Sequence, residues 1–225
     1  MHMAKVTFLG HAAVLLEGRE TTLVIDPFLT GNPVATVGPE AVRADLVVLT
    51  HAHGDHWGDT LALAGKGATV VSTYEIAVYA EKHGAQAFAM NIGGRYAFPG
   101  GSLKFYPAWH SSSFPDGSYG GMPMGVVVEL DGKKIYHAGD TALFSDMRLI
   151  GEEGLDLALL PIGDTFTMGP DDALAALELL KPKKVVPIHY NTFPVIEQDG
   201  EAFVARARTL GVEGAALKPG EAIEV

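Results

Sequence analysis

The 225-residue sequence contains no cysteine. A disulfide framework, a thiolate nucleophile and a thiolate metal site are therefore excluded, and any metal must be held by His, Asp and Glu. A reducing compartment permits this composition, and a cytoplasmic location is the expectation. No apolar run approaches the ~18 residues that a membrane span requires. The opening Met1-His2-Met3-Ala4-Lys5 carries no signal-peptide h-region, and His2 is set aside from the chemistry. Basic residues are scarce: 16 Lys and Arg stand against 27 Asp and Glu, giving a formal charge of −11. The densest basic stretch, Lys181–Lys184, is interrupted by Pro182. A field of this sign repels phosphate backbones, so nucleic acid is not an expected partner, except where bound divalent cations invert the local field. No Pro/Gly/Ser-rich linker or charge block divides the chain, and one domain over 1–225 is expected.

Hydrophobic residues make up 48% of the chain, ample for a sizeable core. Short β-prone runs open it: Lys5–Leu9, Ala13–Glu17 and Leu23–Asp26. Asp45–Thr50 reads as a buried strand running straight into His51. Ala68–Ser72 is the next strand, followed by a helix over Tyr74–His83 that Gly84 ends. Leu103–Ala108, Gly125–Leu130 and Lys133–His137 are further strands, the last two joined by Asp131-Gly132, a two-residue hairpin signal. Leu155–Pro161 and Lys184–Ile188 are apolar strands. Pro170–Leu180 and Glu201–Leu210 are helices, and Ala222–Val225 is a closing strand. Helices alternating with strands and hairpins predict a layered α/β fold.

The densest chemistry is His51-Ala-His53-Gly-Asp55-His56. It places three imidazoles and a carboxylate in six positions at a strand exit, where open α/β sheets put ligands. Imidazole and carboxylate suit zinc and other first-row divalent metals. A tight turn, with Gly54 supplying backbone freedom, would direct His51 and His53 to one ion and Asp55 and His56 to its neighbour. His110, Asp140 and His189 also stand at strand exits. The long Ser111–Pro123 stretch is expected to border the site.

This pattern resembles the metallo-β-lactamase superfamily, and within it the compact metal-dependent hydrolases similar to ascorbate-phosphate lactonases. Gly10-His11, Ile25-Asp26-Pro27, Gly139-Asp140-Thr141, Pro161-Ile162-Gly163 and Pro187-Ile188-His189-Tyr190 carry the likeness along nearly the whole chain. The resemblance implies a four-layer αββα sandwich of two mixed sheets with helices outside. It also implies that His51, His53 and His110 hold one metal, that Asp55, His56 and His189 hold the other, and that Asp140 bridges them. Two divalent ions are the expected cofactors, zinc first, then manganese, iron or nickel.

Such a centre would hold a hydroxide between ions ~3.5–4 Å apart. Two dications against Asp55, Asp140 and hydroxide leave one net positive charge to stabilise an oxyanion. The expected reaction is hydrolysis of a lactone, ester, amide or phosphoester in a small-molecule substrate. A phosphodiesterase, a di-iron redox protein and a metal-dependent binding protein without turnover are the alternatives, and exposed helices can support a homo-oligomer. Asp26, Thr50 and Asp164 are candidates to orient ligands, Asp26 foremost. His11, His137 and Asp164 are candidates to protonate the leaving group, although His137 reads better as a satisfied core residue. Trp109, Phe114 and Tyr119 either line a pocket mouth or anchor their loop. Met122, Met124 and Met168 read as packing. Only Arg43, Arg95 and Arg148 are considered as cations that would favour a phosphate.

Overall fold

The computed structural model describes residues 4–225, so His2 lies outside the described residues. Short runs of β-branched and aliphatic residues, punctuated by glycine, build two seven-stranded sheets. The first half contributes β1 (Lys5–Gly10), β2 (Ala13–Glu17), β3 (Thr22–Ile25), β4 (Leu46–Val48), β5 (Thr69–Thr73) and β6 (Ala87–Met90). The helices α1 (Gly54–Trp57), α2 (Thr60–Ala64) and α3 (Tyr74–Lys82) lie between them. The second half contributes β7 (Arg95–Phe98), β8 (Gly101–Pro107), β9 (Met124–Leu130), β10 (Lys133–His137), β11 (Leu157–Pro161), β12 (Lys184–Ile188) and β13 (Glu213–Gly214). Its helices are α4 (Met147–Gly151), α5 (Pro170–Leu180) and α6 (Gly200–Thr209), and β14 (Ala222–Glu224) closes the chain.

The first sheet has the order β14-β1-β2-β3-β4-β5-β6, the second β13-β12-β11-β10-β9-β8-β7. In each, antiparallel hairpins give way to parallel strands: β3–β4–β5–β6 in one and β10–β11–β12–β13 in the other. Parallel strands need crossover connections, and these supply the helices. The facing sides of the sheets interlock through Val6, Leu16, Leu23, Phe105, Val126 and Leu159. The outer face of the first sheet is covered by Leu63 of α2 and by Ile76 and Ala80 of α3. The outer face of the second is covered by α4, α5 and α6 through Met147, Leu177 and Phe203. The layering is αββα, as expected.

Three strands escape the sequence reading: β6, β7 and β13. All three are edge strands: β6 shows no alternation, β7 alternates exposed and half-buried residues over only four positions, and β13 is two residues long. The one-turn helices α1, α2 and α4 are too short to generate a helical period. Among the described residues, no helix is long and apolar enough to cross a membrane.

Candidate metal centre

Strands β4, β8, β10 and β12 release their chains at one end of the sandwich. His51 follows β4, His110 follows β8, Asp140 follows β10 and His189 follows β12. His53 precedes α1, while Asp55 and His56 lie on it. The expected tight turn is thus a turn of helix. Gly54 begins that helix and is not among the residues with positive φ, so left-handed freedom is not its role. The glycine that matters is Gly139. Its φ is +61°, and a Cβ there would stand 2.7 Å from the Met124 carbonyl and 2.9 Å from the Thr50 Cβ. Only glycine lets the Asp140 loop pass this close to the β4 exit.

All seven candidate ligands converge. The His51 Nε2 and His53 Nδ1 atoms are 3.0 Å apart, and the rings of His51 and His53 lie 5.2 and 5.1 Å from that of His110. Asp140 stands between two groups: its Oδ2 lies 3.1 Å from His189 Nε2, 3.6 Å from His110 Nε2 and 4.0 Å from His51 Nε2. Its Oδ1 lies 3.3 Å from His56 Nε2. Donor atoms of His51, His53 and His110 lie within 4.8 Å of one another, and so do those of His11, Asp55, His56 and His189.

The nitrogens facing away from this centre are pinned. Asp26 accepts from His56 Nδ1 at 2.8 Å, from the Thr50 hydroxyl at 2.7 Å and from the Thr50 amide at 2.8 Å. With its proton given to Asp26, the Thr50 hydroxyl accepts from His51 Nδ1 at 3.1 Å. Both rings therefore carry hydrogen on Nδ1 and turn Nε2 inward as the atom available to a cation. Three residues of this region hold left-handed backbone without being glycine: His11 at φ +59°, Asp26 at +48° and His189 at +53°. Each costs on the order of 1–3 kcal/mol, strain of the kind that gathers at functional sites.

The donor set fits cations. His56 Nε2, Asp140 Oδ1 and both ring nitrogens of His189 are buried without a hydrogen-bond partner. The His189–Asp140 and His56–Asp140 separations are short, but no ring N–H is aimed at the carboxylate. Orphaned buried polar atoms are rare, and four in one place point to a shared missing partner. The electrostatics agree. Burial pushes the His51 imidazole well below its usual range, with His56 adding to the effect. Burial also opposes charge on His56, but Asp140 and then Asp26 outweigh it and raise its pKa well above normal. Burial would raise Asp140, yet His189 and His56 hold it well below the carboxylate range. Burial would likewise raise Asp55, but the His11 hydrogen bond and the charge of His56 hold it low.

The Beta-lactamase superfamily domain matches this sequence over residues 21–190. A UPF0173 metal-dependent hydrolase of Thermus thermophilus is 73% identical over 223 residues, spanning 99% of this chain and 100% of the relative. The chain belongs to the UPF0173 family of metal-dependent hydrolases. Igni18, a metallo hydrolase from Ignicoccus hospitalis, superposes on this family member with a TM-score of 0.91 at 40% identity, covering 100% of this chain and 99% of its own. CmlA, a diiron β-hydroxylase from Streptomyces venezuelae, gives a TM-score of 0.77 at 13% identity, covering 100% of this chain and 55% of its own. At that identity it shares the fold alone.

Several expectations need correction in this UPF0173 chain. His137 is no proton donor: its Nε2 donates to the Ala12 carbonyl at 2.9 Å and its Nδ1 accepts from Gly139 at 3.1 Å. Asp164 is exposed and shapes a turn, its amide bonded to Met168 O, and makes no hydrogen bond to the cluster. Phe114 does not line a mouth, because it is buried and stacked on Tyr79. The Ser111–Pro123 loop does border the site, with Ser111 Oγ 3.5 Å from His53 Nε2. Met124 and Met168 are core, whereas Met122 is exposed. His11 joins the centre through a hydrogen bond from Nε2 to Asp55 Oδ2 at 3.1 Å, and its Nδ1 accepts from Thr192 at 2.9 Å. Thr192 escapes sequence reading entirely, since a lone loop Thr carries no spacing signal.

Proposed function

We propose that this chain is a two-metal hydrolase. His51, His53 and His110 would hold one cation, Asp55, His56 and His189 the second, with Asp140 shared. The observation that carries this reading is the convergence of unpartnered buried donor atoms on Asp140. Two divalent cations, zinc foremost, would supply hydroxide near neutral pH and polarise the bond to be cleaved.

The protein's part is placement. Asp26 and Thr50 hold the His56 and His51 tautomers, and His11 anchors one oxygen of Asp55 while leaving the other free. Asp55 and Asp140 are the carboxylates able to take up a proton as water is activated. Asp55 is 31% exposed and can pass that proton to solvent, whereas Asp140 is 3% exposed and cannot. The reaction class is hydrolysis of a lactone, ester, amide or phosphoester.

Elemental analysis of protein purified without chelators is expected to find two equivalents of metal per chain. Asp140→Ala is expected to lose at least one equivalent and most turnover. Full metal content with an unchanged rate would refute the shared role of Asp140.

A further inference from the structure

The loops that carry the cluster contain no cation. Residues 10–12, 26–42, 49–65, 107–123, 138–147, 162–169 and 189–199 include neither Lys nor Arg. The arginines that would have favoured a phosphate are placed elsewhere. Arg43 donates to the carbonyls of Glu40 and Val42, Arg95 reaches Ser102 at the β7 edge, and Arg148 lies on α4 in the outer helical layer. A substrate with a remote phosphate or carboxylate would find no Lys or Arg partner on these loops.

Aromatic surface stands there instead. The half-buried rings of Phe28 and Phe193 lie 5.8 and 5.6 Å from the His11 ring, both edge-on, and His11 in turn holds Asp55. Both rings thus pack against the residue that anchors Asp55. The loops next to His110 and Asp140 are joined to two others by hydrogen bonds: Trp109 N to Thr141 Oγ1, Met168 N to Thr141 O, and Thr165 Oγ1 to Val195 O. These loops expose Trp109 at 68%, Phe166 at 55% and Val195 at 59%. Exposed apolar residues on loops that neighbour convergent polar groups are a common feature of ligand sites.

We infer that the substrate flanks its scissile bond with an uncharged, apolar group, alkyl or aryl, seated against Phe28 and Phe193, and carries no phosphate. This narrows the hydrolase reading and rests on it. The test compares p-nitrophenyl hexanoate with mono-p-nitrophenyl adipate, which differ by one terminal carboxylate, and adds bis-p-nitrophenyl phosphate. The hexanoate is expected to give at least a tenfold higher kcat/KM than either anion. Phe28→Ala and Phe193→Ala are expected to bring the hexanoate-to-adipate ratio towards one through KM, at unchanged metal content. Phe28→Leu and Phe193→Leu are expected to keep most of the preference.

A ratio at or below one, a preferred phosphodiester, or a ratio that survives both alanine changes overturns the inference and leaves the hydrolase reading standing. Calorimetry on the metal-loaded protein separates the two. Hexanohydroxamic acid is expected to bind at least tenfold tighter than the monohydroxamate of adipic acid, with or without ester turnover. Equal affinities overturn the apolar seat. Tight selective binding with no hydrolysis of any ester, lactone or phosphodiester upholds the seat and sinks the hydrolase.

Discussion

Replacing Asp26 by Asn tests whether ligand orientation is set from behind the centre. The wild-type carboxylate only accepts, and it takes three hydrogen bonds, from Thr50 N, Thr50 Oγ1 and His56 Nδ1. An Asn amide must place its NH2 on one side. Turned towards Thr50 N, it sets donor against donor. Turned towards His56, it can be satisfied only if Nδ1 becomes an acceptor. The His56 proton then moves to Nε2, the atom that faces Asp140 at 3.3 Å. A protonated Nε2 cannot ligate. Partners of this kind typically contribute 10–100-fold in metal affinity, about 1.4–2.7 kcal/mol. The lost charge-assisted bond should also cost the metal-free fold about 1–3 kcal/mol, a fall in Tm of ~2–4 °C per kcal/mol for a chain of this size. The assay is competition with a chromophoric chelator at pH 7.5, with thermal melts of chelator-treated protein alongside. Wild-type stoichiometry and affinity in Asp26→Asn would refute the tautomer argument.

Further predictions follow from the same geometry. His11→Gln and Thr192→Val should each weaken metal binding without removing an equivalent, because His11 positions Asp55 through Nε2 while Thr192 fixes its tautomer; outright loss of one metal in His11→Gln would instead make His11 a ligand. Chelator-treated protein should be most stable near pH 6.5. Below that value the folded state keeps His11 and His51 neutral, His11 with a pKa lowered by burial to about 4, so the unfolded chain binds more protons and stability falls with acid. Above it, the raised His56 keeps its proton only when folded, and stability falls as pH rises through its folded pKa. A flat Tm from pH 5 to 9 would contradict both. Gly58→Ala should cost on the order of 2–4 kcal/mol by thermal melt, since its φ is +40° and the new Cβ would meet Pro27 O at 2.3 Å and Phe28 Cα at 2.6 Å. An unaltered Tm there would show that the loop yields.

The layered α/β class and the seven clustered positions were legible in the chain itself. Strand periodicity is local, and His51 to His56 declare themselves because four ligand-type side chains within six positions have little structural use other than binding. His110, Asp140 and His189 were legible as strand-exit residues, since each follows a short β-prone run. What the chain could not settle were matters of long-range contact. Whether His11 belonged to the site depended on Asp55, 44 residues away, and on Thr192, 181 away. Whether His137 was free to move a proton depended on the carbonyl of Ala12 in the β1–β2 turn. Phe114 left the pocket because Tyr79 offered a stacking partner, and β6 and β7 took shape only because each sheet had an open edge. Candidate ligands are recognised by residue type and spacing, which sequence records. Orientation, tautomer and proton access are properties of neighbours brought together by folding, and those only the tertiary structure decides.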